Sequence, residues 1–253
     1  MTRAGRSPGA SGTANGYLDR SNRPFVSLLA ILPALALYEI GTQFFTTAAM
    51  HGREQQVIAF SELRQFFHFF GASGRHLPAM AVVASLLAWH IAKSDRWTFS
   101  FKTLIGMLAE SILLSLPLFC FGYLLARFFP LAATTHGHYI RDHLRDMVIM
   151  SLGAGIYEEF VFRLAFFTLV SLLLKDVLRL HIGFGYLLMV LSSAVAFAAY
   201  HYLDPTQHFD PHVFAFRVMA GIYFGVVFLI RGFGVTSLSH ISYDLIFTFT
   251  QLL

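Results

Sequence analysis

Residues 147–174 read MVIMSLGAGIYEEFVFRLAFFTLVSLLL, and this stretch decides the fold class of the chain. It is apolar and longer than the ~20 residues that a helix needs to cross the hydrocarbon core of a bilayer. Three charged residues interrupt it, namely Glu158, Glu159 and Arg163. A charge at membrane depth costs several kcal/mol unless it is paired, hydrated or used in chemistry. The stretch therefore predicts a membrane-embedded helix with a functional role.

The composition of the whole chain leads to the same class. Of its 253 residues, 56% are hydrophobic and only 13% are charged, whereas an ordinary soluble domain carries about 25% charged residues. The net charge of +4 fits the basic cytoplasmic loops of membrane proteins, and no basic surface interleaved with aromatic residues indicates a nucleic-acid partner. The single cysteine, Cys120, excludes an intramolecular disulfide. We expect an all-α, polytopic integral membrane helical bundle in contact with the lipid bilayer.

Apolar segments of sufficient length predict about seven spans. The candidates are residues 25–45, 77–92, 104–126, 147–174, 183–203, 213–230 and 233–253. Residues 47–76 have the pattern of an amphipathic interfacial segment, and residues 131–146 that of a polar connection. Lysine and arginine are more frequent in the loops that are cytoplasmic when the N-terminus is inside, which predicts that orientation.

The N-terminal residues differ in composition from the rest. Residues 1–24 are rich in glycine, serine, asparagine and arginine, which predicts a disordered, basic cytoplasmic tail. A cleaved secretory signal is the competing interpretation because residues 25–37 are apolar, but the long basic region before them and the interruptions at Pro33 and Glu39 favour a tail. No internal repeat or linker divides residues 25–253, so we expect a single membrane-embedded domain.

The charged residues of the opening stretch have different prospects. Glu159 and Arg163 stand four residues apart, so they share a helix face and can pair, which would serve only to hold the helix in place. Glu158 lies about 100° around the helix from Glu159 and has no partner at helical spacing. A carboxylate of this kind is the better candidate for a general base.

Two histidines occur in the apolar segments that follow. His201 comes one helical turn after Phe197, at a helix end, where a lone histidine is more often an interfacial residue than a functional one. His240 and Asp244 stand four residues apart, so both can point at one spot. That spacing suits two metal ligands, or a histidine oriented by a carboxylate. An interhelical hydrogen bond is the structural alternative.

A shared site requires irregular spans. With uniform spans, His201 would lie near the outer face and His240 near the inner one. Broken, tilted or re-entrant backbone is tolerated at membrane depth where it is buried or lines a wet cavity. We therefore expect helices that do not span simply around Gly153–Gly155 or residues 213–234. A helix that restarts near Ile156 would place the two glutamates in its first turn, where the macrodipole favours negative charge.

Three motifs follow one another along the chain: Glu-Glu-x-x-x-Arg at 158–163, Phe-x-x-x-His at 197–201 and His-x-x-x-Asp at 240–244. In this order they resemble the CAAX-processing and bacteriocin-processing (CPBP) intramembrane proteases, which include the Rce1-type prenyl-protein endopeptidases. The resemblance places a protease-like core at about 143–253. It implies an intramembrane endopeptidase that cleaves a membrane-associated protein or peptide, prenylated or C-terminally sorted in some cases. We expect the inner (plasma) membrane of a bacterium, with a cytoplasmic N-terminus.

The resemblance also implies roles for individual residues. Glu158 would activate the attacking water together with His201, while His240 with Asp244 would stabilise the oxyanion. Three further residues would support the site: Glu159, Arg163 and Phe197. The family often has asparagine at the last motif position, where this chain has Asp244. An ionised aspartate cannot donate a hydrogen bond to an oxyanion, so we expect Asp244 to support His240.

Two mechanisms remain open for a site of this composition. The family is also described as metalloproteases, which implies Glu158, His201 and His240 as ligands of a divalent metal such as zinc. Two histidines, a carboxylate and water form a common catalytic zinc site, whereas a glutamate–histidine pair can activate water without a metal. We favour the metal-free glutamate mechanism, in which no cofactor is required.

Two other classes of protein would also place such residues in a membrane. A proton- or ion-coupled transporter uses intramembrane glutamate, histidine and aspartate, but the chain lacks the inverted repeat and the paired interrupted helices of many transporters. A non-catalytic immunity or scaffold protein of the same family is the third class.

Overall fold

A computed structural model describes residues 16–44, 57–128, 143–173, 182–204 and 207–252. Within these ranges the regular elements are all helical, so the prediction of an all-α membrane helical bundle is confirmed. The elements are α1 (Tyr17–Ser21), α2 (Pro24–Phe44), α3 (Ile58–Phe69), α4 (Leu77–Ala92), α5 (Phe101–Phe128), α6 (Leu144–Glu159), a π-helical segment (Phe160–Ala165), α7 (Phe166–Leu172), α8 (Ile182–Tyr200), a 3-10 turn (His201–Leu203) and α9 (Pro211–Thr250).

Four helices in the described part of the chain are long and apolar enough to cross a membrane. They are α2, most of α5, the stretch Gly183–Leu203 that includes α8, and α9, while α4 is a shorter apolar helix. The predicted span 147–174 corresponds to α6, the π-helical segment and α7. The predicted spans 213–230 and 233–253 both fall within α9, apart from residues 251–253.

Helix α9 is a hairpin rather than one straight helix. Its 40 residues would extend about 60 Å, twice the thickness of the ~30 Å hydrocarbon core. Gly232 interrupts it with φ 74° and ψ −177°, a conformation essentially restricted to glycine. The rings of Phe224 and His240 stack at 4.7 Å, although they would be ~24 Å apart along a straight helix. Residues 211–231 (the first arm) and 233–250 (the second arm) therefore fold back on each other, as expected for a non-simple span in 213–234.

Of the two places where an irregular span was expected, the one around Gly153 and Gly155 has no break, because α6 runs through both glycines. A Cβ on Gly153 would lie 2.2 Å from the Tyr38 ring, and one on Gly155 would lie 2.7 Å from the backbone nitrogen of Ile241. The glycines thus allow α2 and the second arm to approach α6 closely. No helix restarts near Ile156, and the two glutamates lie in the last turn of α6 instead of a first turn.

The end of the bundle that carries α1 is held by a polar cluster. The Arg231 guanidinium contacts Glu110 Oε1 at 2.5 Å through Nε, and its Nη2 donates to Ser21 Oγ at 2.9 Å. The Tyr17 hydroxyl donates to Glu110 Oε2 at 2.5 Å. Burial and this hydrogen bond raise the pKa of Tyr17 to about 12. Residues Tyr17–Ser21 are helical, which differs from the disordered tail expected for residues 1–24. Residues 1–15 of that tail lie outside the described residues.

The end of the bundle that carries α1 (the near end) and the opposite end (the far end) contain different ion pairs. At the near end, Arg23 pairs with Asp95 at 3.4 Å, which joins the start of α2 to the loop after α4. At the far end, Glu39 lies 2.5 Å from His76, which joins the last part of α2 to the start of α4, and it also accepts a hydrogen bond from Tyr157 at 2.8 Å. Arg23 and the Arg231 cluster, predicted to be cytoplasmic, thus lie at the same end.

Candidate active site

The three sequence motifs meet in one place. The last turn of α6 supplies Glu158 and Glu159, and the π-helical segment supplies Arg163. The end of α8 and its 3-10 turn supply Phe197 and His201, and the second arm supplies His240 and Asp244. All seven predicted site residues lie in this one cluster, and the contacts below define how they are arranged.

Glu158 is buried, with 6% of its surface exposed. One carboxylate oxygen accepts a hydrogen bond from the hydroxyl of Tyr200. The other oxygen, Oε2, lies 3.7 Å from Nε2 of His240. Glu158 therefore has two partners, Tyr200 and His240. Both lie far from it along the chain, so the spacing of residues within one helix could not reveal them.

His240 lies between three carboxylates. Its Nδ1 is 2.7 Å from Oε1 of Glu159 and donates to it. Its Nε2 is 3.7 Å from both Glu158 Oε2 and Asp244 Oδ2, which is beyond direct hydrogen-bond range. The ring of Phe224 stacks on the imidazole. The hairpin in α9 makes this arrangement possible, since Phe224 belongs to the first arm and His240 to the second.

Glu159 and Arg163 form a fully buried ion pair. The side chains of both residues have 0% exposure, and Arg163 Nε lies 3.1 Å from Glu159 Oε2. Arg163 Nη2 donates to the carbonyl of Gly221 in the first arm at 3.2 Å, and the guanidinium lies 4.6 Å from the centre of the Phe197 ring. Arg163 thereby connects the π-helical segment to α8 and to the first arm, which is the geometry of a structural brace.

The π-helical segment that carries Arg163 is bound to α8 through one of its backbone carbonyls. A π turn replaces the usual backbone hydrogen bond by one to the residue five positions away, so a carbonyl can lose its helical partner. The carbonyl of Phe162 accepts a hydrogen bond from Ser193 of α8 at 2.6 Å. Ser193 therefore ties the irregular segment to the helix that carries His201.

His201 begins the 3-10 turn that follows α8. Its Nδ1 lies 2.8 Å from the carbonyl of Phe197, which can only accept, so Nδ1 is the donor. In the neutral ring, Nε2 then carries a free lone pair. The rings of Phe197 and Tyr200 pack against the imidazole with centroids 5.0 and 4.4 Å away, which fixes its orientation.

A cavity of about 480 Å³ opens beside these residues. Four residues of the cluster line its wall, namely Glu158, Tyr200, His201 and Asp244, whereas His240 does not. The remaining lining comes from the start of α3, from α6, from the residue after the 3-10 turn and from the last part of α9, and it is largely apolar: Val57, Ile58, His143, Met147, Met150, Ser151, Ala154, Asp204, Phe247 and Thr248. The cavity is large enough for part of a peptide, since ligand pockets span about 300–1,000 Å³.

Comparison with known proteins identifies the segment that contains this site. Residues 141–246 match the family model described as type II CAAX prenyl endopeptidase Rce1-like. Residues 141–246, referred to as the Rce1-like domain, are similar to that family. This match confirms the resemblance predicted from the three motifs, and the four long apolar helices support a multi-pass membrane protein. No curated protein and no solved structure matches the chain.

The Rce1-like domain contains every predicted site residue. However, the three side chains considered as metal ligands, those of Glu158, His201 and His240, are not placed to bind one ion together. Among the residues that the structure describes, no three histidine, cysteine, aspartate or glutamate side chains are placed to hold a metal ion. Of these three residues, Glu158 accepts a hydrogen bond from Tyr200, and His240 does not line the cavity. The metal-free mechanism stays a prediction, and a mechanism with a divalent metal such as zinc stays its alternative.

Sequence reasoning missed two residues of the Rce1-like domain that contact the site. Tyr200 donates to Glu158, and Phe224 stacks on His240. Tyr200 directly precedes His201, but adjacent residues do not share a helix face, so the pattern gave no reason to select it. Phe224 reaches His240 only because the chain reverses at Gly232.

Proposed function

We propose that this protein is an intramembrane endopeptidase that hydrolyses a peptide bond of a membrane-associated protein substrate. The observation that carries the proposal is the cavity wall, where Glu158 and His201 lie within the Rce1-like domain. Peptide hydrolysis requires a general base within hydrogen-bond reach of a water molecule. A buried carboxylate and an imidazole with a free Nε2 lone pair supply two acceptors for such a water.

The reaction follows from these two groups. His201 Nε2 and Glu158 accept hydrogen bonds from the water, and Glu158 takes its proton as the water oxygen attacks the carbonyl carbon of the peptide bond. The carbonyl electron pair moves to the oxygen, which becomes an oxyanion. Glu158 then gives the proton to the amine nitrogen as the carbon–nitrogen bond breaks. The products are a carboxylic acid and an amine, and the base is regenerated.

His240 and Asp244 were expected to stabilise the oxyanion, and their geometry favours a different role. His240 does not line the cavity, and its Nε2 faces the carboxylates of two residues that do, Glu158 and Asp244, at 3.7 Å from each. We propose that His240 positions these two carboxylates by charge and is itself held by Glu159. In this role His240 acts through Glu158 and does not contact the substrate.

Substitution of Glu158 tests the proposed hydrolysis. Membrane proteomes are compared for cells with the wild type, Glu158→Gln and Glu62→Gln, an exposed glutamate in α3 that serves as the matched control. We expect an uncut substrate to accumulate with Glu158→Gln alone, while all three proteins unfold at similar temperatures in detergent. Identical proteomes would contradict the proposal. Loss of an ion flux without uncut protein would support a transporter, and full function of Glu158→Gln in cells would support a scaffold.

Metal content tests the metal-free form of the mechanism. We expect the purified protein to hold less than one equivalent of any divalent metal and to keep its activity in a chelator. Stoichiometric zinc in the wild type that is lost in His240→Ala would instead support the predicted ligand set of Glu158, His201 and His240. Elemental analysis of both proteins, purified in the same buffer, distinguishes these outcomes.

A further inference from the structure

Tyr200 occupies a fixed place in the cavity wall that none of the three motifs assigns. The residue is 8% exposed, and its hydroxyl donates a hydrogen bond to Glu158. The ring of Phe162 lies 4.8 Å from its own ring and that of His201 lies 4.4 Å away. Aromatic rings packed at these distances restrict the phenol to one orientation. The ring packing therefore holds the hydroxyl beside Glu158, and both residues line the cavity.

The proposed hydrolysis needs a hydrogen-bond donor for the oxyanion, and the other groups near Glu158 are poorly suited to this task. Asp244 has no proton to donate when it is ionised. His240 does not line the cavity, and its Nε2 faces the carboxylates of Glu158 and Asp244. His201 uses its Nδ1 proton on the carbonyl of Phe197. The hydroxyl of Ser151 already donates to the carbonyl of Met147 at 2.8 Å. Tyr200 is the wall residue whose donor lies beside the proposed base.

We propose that Tyr200 is a further catalytic residue, whose hydroxyl orients Glu158 in the resting site and donates to the oxyanion during hydrolysis. This inference rests on the proposed function. When Glu158 takes the proton of the attacking water, it loses its negative charge and becomes a weaker acceptor. The Tyr200 hydroxyl then turns to the oxyanion, where the charge has moved. Tyr200 keeps its own proton throughout, and the hydrogen bond returns to Glu158 when the leaving amine takes the proton.

Infrared spectroscopy of the purified protein tests the resting hydrogen bond without any substrate. The band of the Glu158 carboxyl group is identified by its loss in Glu158→Gln. We expect Tyr200→Phe to shift this band, and Tyr202→Phe to leave it unchanged, because the Tyr202 hydroxyl faces the carbonyl of Asp210 instead. Should Tyr200→Phe fail to fold, replacement of Tyr200 by 3-fluorotyrosine retains the hydroxyl, makes it a stronger donor and shifts the band in the opposite direction. A band that does not move overturns the proposal.

Kinetics on a peptide taken from the substrate that accumulates with Glu158→Gln test the second step. Removal of one oxyanion donor lowers kcat by about 10²–10³-fold. We expect this loss for Tyr200→Phe, with KM changed by no more than about threefold because the donor acts mainly in the transition state. Tyr202→Phe should match the wild type. An unchanged kcat in Tyr200→Phe overturns oxyanion donation. Failure of the wild type to cut any peptide overturns the proposed function, whereas the infrared shift reports the Tyr200–Glu158 contact independently.

Discussion

Arg163 is a charged side chain that has no contact with solvent, and its partners come from three parts of the bundle. We predict that Arg163→Ala lowers the free energy of unfolding by about 3–5 kcal/mol, because it leaves the charge of Glu159 buried and uncompensated. Chemical denaturation in detergent measures the change. Arg127→Ala removes an exposed arginine in the last turn of α5 and should stay within about 0.5 kcal/mol of the wild type. Equal effects of the two substitutions would argue against the brace.

Asp244 gives a second prediction at the residue scale. Asparagine at this position keeps the shape of the side chain and adds an amide donor on the cavity wall. We expect Asp244→Asn alone to keep kcat within about tenfold, and the double variant with Tyr200→Phe to be faster than Tyr200→Phe alone. A double-mutant cycle measures this coupling. Strictly additive losses would indicate that the two positions do not serve the same oxyanion.

Among individual residues, the sequence predicted those whose burial in an apolar segment has a large free-energy cost, and it missed those whose burial has a small one. Glu158, His201 and His240 stand out because ionisable groups are rare in apolar segments. Tyr200 does not stand out, because tyrosine is common in membrane helices and its partner Glu158 is distant along the chain. The role expected for His240 from the sequence, oxyanion stabilisation, also differs from the positioning role that we propose. The spacing of four residues to Asp244 cannot indicate that two glutamates of α6 lie beside the same imidazole ring.

Among the elements, the hairpin of α9 depends on one residue. Gly232 has φ 74°, and a Cβ there would meet only Asn22 at 3.5 Å. We predict that Gly232→Ala lowers the free energy of unfolding by about 1–3 kcal/mol from backbone strain alone. Gly225→Ala, in the regular first arm, is the matched control and should change stability by less than about 1 kcal/mol. A comparable loss in both variants would mean that packing and not backbone conformation dominates at Gly232.

Contact between α6 and the second arm gives a further prediction. A Cβ on Gly155 would lie within 2.9 Å of the carbonyl oxygen of Ser237 and still closer to the backbone of Ile241. Backbone cannot move aside as a side chain can, so Gly155→Ala should push the helices apart and separate Glu158 from His240. We expect a loss of about 1–3 kcal/mol in stability together with a loss of substrate processing. Retention of full processing would show that the site tolerates this separation.

The lengths of the elements were predictable, whereas their irregularities were only partly so. Apolar segments of about 20 residues indicate membrane helices because the bilayer fixes that length. A glycine that breaks a helix and a glycine that admits a neighbouring helix look alike in a sequence. Gly232 is of the first kind and Gly155 of the second, and only the partner of Gly155 on the second arm distinguishes them.

The orientation of the whole molecule is the remaining prediction. The near end carries Arg23 and Arg231, and the excess of basic residues predicts that this end is cytoplasmic. After replacement of Cys120 by serine, single cysteines at Thr98, near the Arg23–Asp95 pair, and at Ser73, before α4, can be labelled with a membrane-impermeant maleimide. We expect labelling at Ser73 in intact cells and at Thr98 only after permeabilisation. The reverse pattern would place the near end outside.

One feature of the whole molecule could not be predicted from local patterns. The helix α1 lies within a tail whose composition indicates disorder, yet Tyr17 bonds to Glu110, which is 93 residues away. Composition measures how much apolar surface a segment can bury by itself, and it carries no information about a partner supplied by the folded bundle. For the same reason, the distribution of basic residues predicts which end of the bundle is cytoplasmic, but it cannot predict the side-chain contacts at that end.

The position of the cavity has a consequence for when the protein meets its substrates. Its lining includes Ile58, His143, Asp204 and Thr248, which all lie at helix ends on the side of the bundle away from Arg23. If the near end is cytoplasmic, as the basic residues predict, the opening faces the exterior and the proposed cleavage would follow export. A chain whose C-terminus is modified in the cytoplasm and stays there would not reach Glu158, and the substrates would come from the proteins that leave the cell or lodge in the outer leaflet.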